Sequence, residues 1–278
     1  MNSAGQCRFW FRYFIGLMAF VIISRFGTGS AQSSETKTMK HQTVTMTILY
    51  DNYPYDARLK TAWGFSCLIE IEGRTILFDT GGEGRILLHN MKALNIDPKD
   101  IDTIVLSHIH GDHTGGLEEL LKEKSEWDIY IPESFPQGFD RAVKKHGATV
   151  VRVHASREIC PGMILVNETG YGTEEQFLLM ETDKGAILMT GCAHPGIVNI
   201  VKRAKTTTSK NIYMVLGGWH LSHVSGGEIK KVVEAFQKRG VQKVSPCHCT
   251  GDRAMEVFKS AYGDDFITAG VGKIFKIE

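Results

Sequence analysis

The segment Ser107-His108-Ile109-His110-Gly111-Asp112-His113-Thr114-Gly115-Gly116 places three imidazoles and a carboxylate within six residues. In an extended chain alternate side chains share a face, so His108 and His110 can reach one metal ion together. Asp112 and His113 follow as the chain turns. They point elsewhere and can hold a second ion beside the first. Nitrogen and carboxylate donors suit zinc, with manganese or iron as alternatives, better than the all-oxygen cations magnesium and calcium. The Gly-Gly pair lets the backbone turn tightly close to such a site. A solvated loop that merely contains histidines is the bland alternative. An apolar run at residues 101–106 feeds the cluster and a helical pattern at 117–121 leaves it, which argues against that alternative.

Further donors recur downstream. His194 follows the apolar run 186–190 through Gly191-Cys192-Ala193, His220 follows 212–216 through Gly217-Gly218-Trp219, and His248 follows 241–245 through Pro246-Cys247. Each stands just past the C-terminal end of a strand, as His108 does, where loops on rigid strands converge at a sheet edge. His194 and His248 are read as metal ligands, and His220 as a ligand or a substrate-pocket group. Cys192 is a candidate bridging ligand, and Cys247 and Cys249 rank below it. Asp79, at a strand end beside Gly81 and Gly82, can orient a metal-bound histidine from behind. The competing reading of Asp79 is a turn cap. His41, His89, His146, His154 and His223 lack the strand-end placement and read as surface or tether residues. Trp63, Trp127 and Trp219 can line a pocket or belong to the core, and core is the preferred reading of the first two.

The elements that must position these residues follow from periodicity. Alternation or apolar runs predict strands over 43–50, 64–71, 75–79, 101–107, 128–131, 149–153, 177–182, 186–190, 212–216, 241–245 and 271–277. Helical spacing predicts helices over 85–94, 139–146, 197–205, 228–238 and 254–261. Each half of the chain runs strands first and helices after. Two sheets packed face to face, with helices outside, satisfy that pattern.

The 278 residues, 42% hydrophobic and 23% charged, suffice for one large domain or two small ones. The net charge of +1, without a basic block, gives no ground for a nucleic-acid partner. Residues 1–31 read as a secretory signal peptide: Arg8 and Arg12 precede a short apolar core at 14–23, and small residues lead to Ala31. A retained anchor is the alternative, but the core is short for a span and Arg25 follows it, so no stable membrane span is expected after cleavage. Residues 32–42 read as a flexible tether and 43–278 as the functional domain. Export to the periplasm or the medium is the expected location. The five cysteines beyond the signal segment form an odd set, which argues against a fully paired disulfide framework.

With these residues in hand, His108-x-His110-x-Asp112-His113, Asp79-Thr80-Gly81 and the late His248 resemble the metallo-β-lactamase superfamily, over roughly residues 43–278. The resemblance implies an α/β (α+β) fold, a four-layer αββα sandwich with a dinuclear site at one edge. Gly64-Phe65-Ser66, Gly191-Cys192-Ala193-His194-Pro195-Gly196, Gly217-Gly218-Trp219-His220-Leu221 and His248-Cys249-Thr250-Gly251 resemble a narrower branch. It is named for 7,8-dihydropterin-6-methyl-4-(β-D-ribofuranosyl)aminobenzene-5′-phosphate synthase. Its name implies a pterin–phosphosugar condensation in some members. The β-lactam-hydrolysing members carry a further histidine loop and a bridging Asp. Here the strand 186–190 ends in Gly191-Cys192-Ala193-His194 and no histidine lies between His154 and His194, so antibiotic hydrolysis is not expected.

The expected activity is metal-dependent hydrolysis of a phosphoester, lactone or thioester. Two divalent ions about 3.5–4 Å apart would share a water and lower its pKa. Asp112 would hold the second ion and orient the nucleophile, and His220 would donate to the leaving group. Backbone N–H groups at Thr250-Gly251 would cradle a phosphate. A synthase-like transferase, an iron oxidoreductase on the same scaffold and a non-catalytic binding module are the rivals. The partner is a small molecule, with phosphorylated substrates in view, and the sequence leaves its identity and the oligomeric state open.

Overall fold

Along β1 (Val44–Tyr50), Val44, Met46 and Ile48 enter one core, while Leu49 and Tyr50 enter another after a register shift. That switch of faces sets the plan of the structure, a computed structural model that describes residues 43–278 other than 125 and 171. The signal segment and tether expected within residues 1–42 lie outside the described residues.

β1 pairs with β2 (Ser66–Ile71), which forms a hairpin with β3 (Arg74–Phe78). Helix α1 (Gly84–Ala93) leads to β4 (Thr103–Val105), then to α2 (Gly111–Thr114) and α3 (Leu117–Glu123). β5 (Asp128–Pro132), α4 (Gln137–Lys144) and β6 (Thr149–Val153) complete this side. The first sheet has the order β13-β1-β2-β3-β4-β5-β6, with β3 to β6 parallel and β13 (Ile274–Ile277) added last. The second sheet is built from β7 (Ser156–Cys160), β8 (Met163–Gly170), β9 (Thr173–Thr182), β10 (Gly185–Thr190), β11 (Ile212–Gly218) and β12 (Lys243–Cys247). Its order is β12-β11-β10-β9-β8-β7, and β10, β11 and β12 are parallel. α5 (Ile197–Thr207), α6 (Gly226–Lys238) and α7 (Asp252–Tyr262) follow β10, β11 and β12 in turn.

Three apolar clusters show the layering. Met46, Ile69 and Phe78 of the first sheet meet Leu178, Ile187 and Leu216 of the second in the central core. The outer face of the first sheet packs on α1, α3 and α4 through Leu77, Leu87 and Leu120. The outer face of the second packs on α5, α6 and α7 through Leu188, Ile200, Phe236 and Phe258. Two mixed sheets flanked by helices are the αββα sandwich that the pattern of elements required. Among the described residues no helix is long and apolar enough to cross a membrane.

Two differences from the sequence reading have local causes. The strand expected over 101–107 is regular only at Thr103–Val105, because Asp79 draws the Ser107 N–H out of the ladder. β7, β8 and the start of β9 went unseen. β7 faces solvent along most of its length, and β9 opens on the polar run Thr173-Glu174-Glu175-Gln176. Glu175 and Gln176 are nevertheless buried, because each is hydrogen-bonded inside the fold. Gln176 donates from its backbone to Ser107 O and from its side chain to Leu106 O, so β9 braces the end of β4 across the sandwich.

Candidate metal centre

Asp79 leaves β3 in a left-handed conformation (φ 58°), and its buried carboxylate organises the histidine turn. Oδ1 accepts the Ser107 N–H at 2.6 Å, and Oδ2 accepts the Ser107 hydroxyl and His113 Nδ1, both at 2.7 Å. With its proton given to Asp79, Ser107 Oγ accepts from His108 Nδ1 at 2.9 Å. One carboxylate therefore keeps Nδ1–H on both His108 and His113 and turns both Nε2 atoms toward the site. Asp79 thus stands behind both rings, hydrogen-bonded to His113 directly and to His108 through Ser107. The turn itself is pressed against the neighbouring loop: a Cβ at Gly116 would stand 2.1 Å from Thr80 O, so only glycine fits.

The second sheet brings its donors by separate loops. Glu175, fully buried, accepts four consecutive backbone N–H groups, from Gly191, Cys192, Ala193 and His194, at 2.8–3.0 Å. That clamp holds Ala193 at φ 60° and presents Cys192 and His194 to the site. His220 (φ 51°) and His248 (φ 47°) leave β11 and β12 in the same left-handed region, which costs on the order of 1 kcal/mol for a residue with a Cβ. His248 Nδ1 donates to Asn52 Oδ1 at 3.0 Å, and its N–H to the buried carboxylate of Asp51 at 3.3 Å. Its Nε2 is thereby freed for the site.

The converging side chains sort into two facing groups. His108, His110 and His194 form one, and Asp112, His113, Cys192 and His248 the other, with ligand atoms in each within 4.8 Å of one another. The rings of His108 and His113, one from each group, lie 4.2 Å apart. His113 Nε2 is 3.1 Å from Cys192 Sγ, and His248 Nε2 is 3.3 Å from Asp112 Oδ2. His194 Nε2 is buried yet has no hydrogen-bond partner, and Asp112 is the neighbour that His248 Nε2 faces. Buried, unpartnered imidazole nitrogens aimed at other lone pairs are costly unless a cation lies between them. Imidazole, carboxylate and thiolate together fit zinc or iron, so the residues present suit a bound transition metal.

The two groups differ in protonation. Burial pushes His194 down to about 4, helped by His220 and His110 beside it. Burial also takes His108 well below the usual imidazole range. It acts on His113 in the same sense, but the Asp79 carboxylate outweighs it and holds that ring up to about 9. Asp112 is opposed by burial, yet His248 and His113 bring it below the ordinary carboxylate range. His220 is raised, chiefly by the Cys249 sulfur.

All the histidines expected at the site, and Asp112, are thus brought together. Cys192 stands among them. His220 is exposed at the rim, with its ring 4.7 Å from that of His194. Thr250-Gly251, expected to offer backbone N–H groups to a phosphate, opens α7. The Thr250 hydroxyl is buried and accepts the Trp219 N–H, and Asp252 puts a carboxylate in the first turn of α7. The hydroxyl is committed to the loop after β11, and a carboxylate there disfavours an anion.

Trp63 is a correction. It is 57% exposed rather than core, its Nε1 donates to Asp112 Oδ2 at 3.0 Å, and its ring lies 4.9 Å from that of His248. It sits in a loop without periodicity, so burial could not be inferred from spacing. Cys249, ranked low, has its sulfur 3.3 Å from that of Cys192. Glu175, Asp51 and Asn52 were missed. The only sequence signal for Glu175 is a polar run leading into an apolar strand.

Comparison with known proteins agrees with this geometry. The model of the metallo-beta-lactamase superfamily matches residues 64–198. The chain is 32% identical to the 7,8-dihydropterin-6-methyl-4-(beta-D-ribofuranosyl)-aminobenzene-5'-phosphate synthase of Methanocaldococcus jannaschii, over 83% of this chain and 95% of that protein. A crystal structure of a metal-dependent hydrolase of the beta-lactamase superfamily superposes with a TM-score of 0.71 at 28% identity, covering 84% of this chain and 99% of the other. The metallo-beta-lactamase fold protein YhfI of Bacillus subtilis superposes with a TM-score of 0.64 at 12% identity, over 84% and 99% of the two chains, a likeness of fold alone.

Proposed function

Because the chain belongs to the metallo-β-lactamase superfamily, we propose that it is a metal-dependent hydrolase of a small phosphoester, lactone or thioester. The observation that carries this reading is the pair of facing donor groups, with His194 Nε2 buried and without a hydrogen-bond partner. The set His108, His110 and His194 would hold one divalent ion, and Asp112, His113 and His248, with Cys192 beside them, a second. Zinc fits best, with manganese or iron as alternatives. When bound, such a pair acidifies water and stabilises negative charge developing at a phosphorus or acyl centre.

The chain's own residues supply the rest. Asp79 fixes the tautomers of His108 and His113 from behind. Asp112, tethered by Trp63 Nε1, is a carboxylate acceptor that can orient an attacking water. His220, exposed at the rim beside His194, is placed to give a proton to a leaving group. The exposed face of Trp63 offers an apolar wall for substrate.

The experiment is a panel of phosphodiesters, lactones and thioesters, run with the metal-reconstituted protein and with His110→Ala. Turnover of one class, lost together with bound metal in the variant, is the expected result. Full activity in a metal-depleted His110→Ala protein would refute it. A second reading is favoured by the 32% identity to the synthase: transfer rather than hydrolysis. It predicts product only when a dihydropterin and an aminobenzene riboside phosphate are both present, and no turnover with water alone.

A further inference from the structure

A third set of donors lies beside the two just described and has no part in the hydrolytic reading as a set. Cys192, His220 and Cys249 place their ligand atoms within 4.8 Å of one another. The two sulfurs are 3.3 Å apart, and the His220 N–H points at Cys249 Sγ, also at 3.3 Å. Both cysteines are free of disulfides, and both are buried at 3% exposure. His220 is exposed, so the set opens to solvent on one side. The three residues leave β10, β11 and β12, the adjacent parallel strands of the second sheet. Gly218 keeps the loops close: a Cβ there would stand 2.8 Å from Cys249 Sγ.

We propose that Cys192, His220 and Cys249 form a third cation site, selective for a thiophilic divalent ion, in which Cys192 bridges to the Asp112–His113–His248 group. Two thiolates on one tetrahedral ion with metal–sulfur bonds of about 2.3 Å stand about 3.8 Å apart, so the observed pair needs to open only slightly. Two sulfurs and one imidazole form the soft donor set that selects zinc or cadmium over magnesium or manganese. Binding releases the thiol protons to solvent and forms metal–sulfur bonds without any change of oxidation state. One position stays open on the solvent side, for water or a soft ligand. A cation held there takes up the imidazole of His220, so occupancy of this site and proton donation by His220 exclude one another.

The test is a cobalt(II) titration of the metal-free, thiol-reduced protein. Bound metal is counted by elemental analysis, and sulfur ligation is followed by the near-ultraviolet thiolate-to-cobalt absorption. The wild-type protein is expected to take three equivalents. Cys249→Ser and His220→Ala are each expected to take two, and Cys249→Ser to lose part of the sulfur absorption. Circular dichroism checks folding, and His220→Ala, at an exposed position, keeps the test open if Cys249→Ser misfolds. Saturation of the wild type below three equivalents overturns the site, as does any folded variant of the two that retains all three. The hydrolase reading stands or falls on turnover with two equivalents bound, so the two can fail separately.

Discussion

The first sheet delivers four donors in one turn after β4, while the second delivers its donors from three separate loops, after β10, β11 and β12. The first arrangement is local. His108 and His113 are held by Ser107 and Asp79 directly behind them, and His110 and Asp112 ride on the same turn. The second is assembled at long range. Glu175 on β9 grips the 191–194 loop, and Asp51 and Asn52 after β1 grip His248. A compact turn can keep its shape with one carboxylate behind it. Scattered loop tips each need a separate buried anchor, and those anchors are polar groups that are costly to leave unpaired.

Breaking the long-range side should have the largest effect on stability. Glu175→Ala leaves four neighbouring N–H groups without an acceptor, and a loss of about 3 kcal/mol or more in urea unfolding is expected. Bound metal should fall with it, because Cys192 and His194 lose their frame. Breaking the local side with Asp79→Asn should cost less stability. It frees the tautomers of His108 and His113 and should weaken metal binding by about 10–100-fold, measured by competition with a chromophoric chelator.

The pH dependence of binding sharpens the contrast. His194, at about 4, is neutral and ready to bind through the whole neutral range. His113 in the metal-free protein keeps its proton below about 9, and a cation must displace it. Affinity at the Asp112–His113–His248 group should therefore rise about tenfold per pH unit up to about pH 9, while His194 in the other group gives up no proton on binding above about pH 5. Calorimetry in buffers of different ionisation enthalpy reads the proton released. The smallest effect is expected of Trp63→Phe. It removes one hydrogen bond to Asp112 worth about 1 kcal/mol, so kcat/KM should fall about fivefold with stability unchanged.

The same contrast governs what the sequence revealed. The turn at residues 108–113 is legible because its donors are contiguous and its spacing has a geometric meaning. His194 and His248 are legible because both follow an apolar strand, and parallel strands place such ends on one edge. Asp79 could be placed by its strand-end position. Glu175 could not, because a carboxylate at the start of an apolar strand looks solvent-facing until the loop that covers it is known. Cys249 and Trp63 are the same case. Their neighbours Cys192, Asp112 and His248 come from other segments, so no local pattern records the contact. Two facing sheets with helices outside were readable from the order of elements, and the four-layer αββα form from the family resemblance. The β7–β8 hairpin, largely exposed on β7, was not.

Anomalous scattering at the zinc edge, from crystals of the zinc-reconstituted protein, bears most directly on the convergence of these loops. Separate peaks are expected, one bounded by His108, His110 and His194 and another by Asp112, His113 and His248. Zinc bound elsewhere, with both of those positions empty at saturating metal, would contradict it.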